Sequence, residues 1–90
     1  MTINFTHLPR RVAIWHLGEE KWSAEVKEPQ IETDLKLAWP AEGIDLRFVV
    51  DWPDAESLAG AQIRITDPEG TEHTGSIFSK GPADEILTFR

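Results

Sequence analysis

The sequence predicts an all-β fold, a small antiparallel β-sandwich or barrel of six to seven strands, and three observations predict it. Two long runs, Ile31–Trp39 and Ile44–Trp52, alternate apolar and polar side chains with period two. Shorter runs rich in β-branched and aromatic residues recur at close spacing between them and the chain ends. Turn chemistry separates the runs, most specifically at Asp67-Pro68-Glu69-Gly70. A mixed fold with one short helix near Asp54–Gly60 is the alternative.

Taken in order, Met1–Pro9 alternates Ile3, Phe5 and His7 against polar neighbours and stops at Pro9, as a short extended arm or edge strand would. Arg10 and Arg11 lead into Val12–Leu17, closed by Gly18-Glu19-Glu20-Lys21, and Trp22–Lys27 then alternates cleanly, so the two form a hairpin. With Gly18–Lys21 as its loop, Leu17 faces Trp22, Trp15 faces Ala24 and Ala13 faces Val26. That facing leaves Val12, Ile14 and His16 on the opposite side. A strand apolar on both faces needs cover on both, from the N-terminal arm or from a partner.

In the first long run Ile31, Thr33, Leu35, Leu37 and Trp39 share a face; in the second, Ile44, Leu46, Phe48, Val50 and Trp52 do. Pairing them across Pro40-Ala41-Glu42-Gly43 sets Trp39 opposite Ile44 and Lys36 opposite Arg47. A hairpin is the expectation; a two-residue shift, or an arch with the strands in facing sheets, are its alternatives. Asp54–Gln62 is the one stretch that could hold a helical turn. Gln62–Thr66 and Thr71–Phe78 flank a type I turn whose Gly70 can take the left-handed conformation of a bulged hairpin loop. Lys80–Asp84 is the last loop, before a strand at Glu85–Arg90.

Ninety residues make one domain with a modest core. The formal charge of −7 repels phosphate backbones and argues against nucleic acid as a partner. The carboxylates are scattered rather than clustered, as solubility alone requires. Absence of cysteine excludes disulfides and thiolate chemistry. Residues 1–9 hold no apolar core of signal-peptide length, and no segment approaches membrane-spanning length. The expectation is synthesis and use without Sec export, in the cytoplasm or within an assembled particle.

Catalytic chemistry finds no support. His7, His16 and His73 lack ligand spacing, and adjacent Glu72 and His73 would point to opposite faces of a strand. No serine sits in a nucleophile elbow, the acids occupy polar faces or turns, and no glycine-rich loop cradles phosphate. The reading is therefore no enzyme, no metal and no cofactor. Trp22, Trp39 and Trp52 lie in register with apolar faces, and Trp15 is placed with them, so tryptophan reads as core before it reads as a carbohydrate platform.

The stretch Asp45–Gly75, an apolar strand followed by SLAGAQIRITDPEG, resembles small β-sandwich modules of phage tail and baseplate proteins, which carry a similar strand and a D-x-x-G hairpin. The resemblance covers about a third of the chain. It implies a structural assembly or adaptor subunit with no catalytic residues to carry over. The expected function is thus a non-enzymatic protein–protein interaction module, whose partner is another protein or a second copy. Its expected interface is Ile3, Phe5, Val12, Ile14 and His16, by packing or by adding Ile3–Phe5 as a strand to a neighbouring sheet. The alternatives are a carbohydrate-binding domain using exposed tryptophan and an acidic inhibitor occupying a nucleic-acid-binding or basic protein site.

Overall fold

The computed structural model describes residues 1–35 and 37–90. Eight strands form two four-stranded antiparallel sheets packed face to face: β1 (Thr2–Phe5), β2 (Arg11–His16), β3 (Glu19–Glu25), β4 (Gln30–Glu32), β5 (Ile44–Asp51), β6 (Ala59–Thr66), β7 (Glu72–Ser79) and β8 (Ala83–Phe89). The first sheet runs β4-β1-β6-β7 and the second β3-β2-β5-β8. The fold is the expected all-β sandwich, with two open sheets rather than a closed barrel. It has one or two strands more than the sequence predicts.

Both sheets bury their inner faces in one core. On β5 the alternation works as read: Ile44, Leu46, Phe48 and Val50 are buried, and Trp52 continues the row just past the strand. Ala59, Ala61, Ile63 and Ile65 do the same from β6. The Trp52 indole N–H donates to the His7 carbonyl at 2.7 Å and the ring meets Phe5 edge-on, which pins the β1–β2 connection to the end of β5.

Three expectations are corrected. The N-terminal arm is neither free nor an edge: β1 lies inside its sheet, paired with β4 on one side and β6 on the other. Ile3 and Phe5 are core residues.

The β2–β3 hairpin closes through two residues, not four. Leu17 and Gly18 both have positive φ, 52° and 78°, the signature of a type I′ turn. Lys21 is then an extra residue on β3, because Trp15 pairs with Glu20 while Ile14 pairs with Trp22. This register reverses the facing of β2. Val12 and Ile14 turn inward and are 0% exposed, whereas Ala13 and Trp15 turn outward. The physical reason is the burial of two β-branched side chains, worth about 1.5–3 kcal/mol each.

The long run Ile31–Trp39 is a strand only to Glu32. Its ladder with β1 ends at the Thr33 N–H to Met1 carbonyl bond, and the chain then crosses to the other sheet. β4 and β5 therefore lie in facing sheets, and the arch replaces the hairpin. Lys36, with its expected place opposite Arg47, lies outside the described residues. The alternation keeps its meaning without a ladder: Thr33 is buried, and Leu35, Leu37 and Trp39 pack on the core.

No helix forms at 54–60. Asp54 Oδ1 instead accepts the Glu56 N–H at 2.8 Å, closing an Asx turn.

Candidate interaction surface

The two outer faces of the sandwich differ. On the first sheet the outward rows are Gln30–Asn4–Gln62–Ser76 and Glu32–Thr2–Arg64–Thr74, polar throughout, with Phe78 packed over Gly60 at one end. On the second sheet the outward row Ser23–Ala13–Val49–Asp84 is small and apolar at its centre and ends in a carboxylate. Beside it, Trp15 on β2, Arg47 on β5 and Ile86 on β8 stand in one line across the strands.

This face holds two shallow recesses that share a wall of Trp15 and Arg47. Ala13 and Val49 lie in one, where short side chains let the surface dip. Leu17, Gly18, Asp45 and Ile86 complete the other. Leu17 is 89% exposed and Ile86 66% exposed. Arg47 is fixed from both sides. Its guanidinium carbon lies 5.6 Å from the centroid of the Trp15 ring, and its Nε donates to Asp84 Oδ1 at 2.7 Å while Nη2 donates to Oδ2. This fork holds the Asp84 carboxyl below the ordinary carboxylate range and raises the Arg47 guanidinium further. Such a surface offers apolar contact and a held cation.

A second constellation lies at the β6–β7 turn. Asp67 opens the β6–β7 turn, and its Oδ1 accepts the N–H groups of Glu69 and Thr71, each at 2.9 Å. Its Oδ2 lies 2.9 Å from His73 Nε2, and Trp39 stacks on the His73 ring at 5.0 Å between centroids. The His73 and Asp67 side chains are 12% and 13% exposed. The hydrogen bond from His73, ahead of those from the two amides, holds the Asp67 carboxyl below its ordinary value. The trio clasps the crossing segment onto the hairpin. Among the described residues, no group of three or more His, Asp or Glu side chains converges as a metal site would require.

The sequence-predicted interface divides accordingly. Ile3, Phe5, Val12 and Ile14 are brought together inside the core, and His16 is half-buried at the end of the β2 inner row. None of the five forms the outer face. Trp15 and Leu17 were hidden from sequence reasoning by the reversed facing of β2. Ile86 carried a signal, since Glu85–Arg90 alternates so that Ile86 opposes Leu87 and Phe89. In comparisons with protein-family models, curated proteins and solved structures, the chain matches none.

Proposed function

We propose that the chain is a non-enzymatic protein–protein interaction module that contacts its partner through the outer face of β3-β2-β5-β8. One observation carries this reading: Trp15, Leu17 and Ile86 line a single recess on an open sheet face, two of them mostly exposed, beside an arginine already held in place. Exposed apolar groups gathered at one spot mark contact surfaces more than scattered ones do. A particle-assembly role of the phage tail or baseplate kind fits such a domain, and the Asp45–Gly75 resemblance supports it. Sugar binding needs a free indole face. Here Trp52 is buried, Trp39 lies against His73, Trp22 packs on the core and Arg47 sits over one face of Trp15.

A photo-crosslinking amino acid placed at position 86, and separately at position 74 on the opposite outer face, tests this in cells that produce the protein. The expected result is one discrete adduct from position 86, absent from position 74 and lost when Val49 is changed to Asp. Adducts from position 74 alone, or from neither, overturn the reading.

A further inference from the structure

Leu17 occupies a position that the backbone resists. Its φ of 52° lies in the left-handed region, where Gly, Asn and Asp are at ease and a Leu is not. A type I′ turn that served only to close the hairpin would favour Asn-Gly or Gly-Gly there. Nor does burial offset the strain, since the side chain is 89% exposed. Two disfavoured choices at one residue, conformation and exposure, point to a use outside the fold. Its surroundings give that use a chemistry. Ile86 and Trp15 extend the apolar surface and Asp45 lines the same recess; along the rest of this outer face Glu20, Glu25 and Asp51 stand against Arg11, and Asp84 is paired with Arg47.

We propose that Leu17 is the anchor of the interface, seated in an apolar socket that Lys and Arg side chains surround on a different protein. The proposal rests on the interaction-module reading and names the partner's chemistry. Charge complementarity selects this occupant. A second copy would set the same surplus of carboxylates against itself, and an anionic bilayer would repel a chain of formal charge −7. A basic surface gains from the surplus of carboxylates along the face while its socket gains from the apolar centre.

The test uses the whole isotope-labelled chain and amide NMR shifts with two synthetic extended peptides, one alternating Leu and Lys, the other Leu and Glu. The Leu–Lys peptide is expected to shift Trp15, Leu17, Gly18 and Ile86, with affinity falling as salt rises, and the Leu–Glu peptide to leave them unmoved. Leu17→Asn should weaken that binding by about tenfold or more while raising the urea midpoint, which separates lost contact from lost fold. Leu58→Asn, at an exposed leucine outside this face, should leave affinity unchanged. Shifts centred on Glu32 and Glu72 of the other sheet overturn the proposal. So do the expected shifts appearing with phosphatidylcholine vesicles alone, or on raising protein concentration without peptide. If Ile86→Lys weakens binding and Leu17→Asn does not, the anchor fails and the interaction reading stands. If neither variant has an effect, both fail.

Discussion

Positive φ separates two turn residues with opposite consequences. At Leu17 the left-handed conformation is disfavoured by about 1 kcal/mol, so Leu17→Asn is expected to stabilise the domain by roughly 0.5–1.5 kcal/mol, read as a higher urea midpoint. At Gly70 the same region is occupied at no steric cost. Its φ is 90°, its N–H donates to the Asp67 carbonyl at 3.0 Å, and an added Cβ would meet nothing within 4 Å. A substitution there acts through conformation alone. Gly70→Val is expected to destabilise by about 1–3 kcal/mol and Gly70→Asn by much less, because Asn tolerates the left-handed region. Coincident urea midpoints for Gly70→Val and the parent would show that the turn does not need positive φ.

Between elements, the Asp67–His73–Trp39 clasp ties the crossing segment to the β6–β7 hairpin and makes its grip depend on pH. Asp67 ordinarily titrates near 3.8, and the His73 hydrogen bond holds it lower in the folded chain. The unfolded chain therefore takes up the proton first as pH falls. The contribution of Asp67 is complete above about pH 5 and is lost as pH drops through the lowered folded value. Glu19, Asp54 and Asp84 are lowered too, so the parent's acid limb contains all four. Comparison with Asp67→Asn isolates one: the gap in urea midpoint should be full and level above about pH 5 and narrow as pH falls through the lowered folded value. A gap independent of pH would mean that the carboxylate charge of Asp67 does not hold the clasp. At this scale the sequence was legible where pattern and pairing coincide. β5 alternates because each inward residue meets the core and each outward residue meets solvent. Thr33, Leu35, Leu37 and Trp39 keep the alternation for the same reason although they lie outside any strand, and period two responds to burial rather than to a ladder. The Asp67–Gly70 turn was legible because Asp, Pro and Gly each occupy a position only a few residues favour. Leu17-Gly18 was not, because its first residue is one that a type I′ turn disfavours.

For the whole molecule, that single turn decided how much of the proposed interaction surface could be read from the sequence. Facing on a strand is all or nothing: an odd shift in register sends every side chain to the other side. Once the loop is placed at Gly18–Lys21, Val12 and Ile14 become surface and Trp15 becomes core, although both inward residues are 0% exposed in the fold. The last prediction tests this division directly. A domain of this length has a net stability of about 5–13 kcal/mol. Val12→Asp buries a carboxylate with no cation beside it or else forces it to stay protonated, and either route costs several kcal/mol, a large part of that total. Ile86→Lys places a solvated amine on an exposed outer position and should change stability by no more than about 0.5 kcal/mol. Near-UV circular dichroism and thermal melting should therefore find Val12→Asp unfolded or close to it and Ile86→Lys folded like the parent. A native spectrum and parental melting for Val12→Asp would return that residue to the surface, and collapse of Ile86→Lys would move the proposed interface into the core.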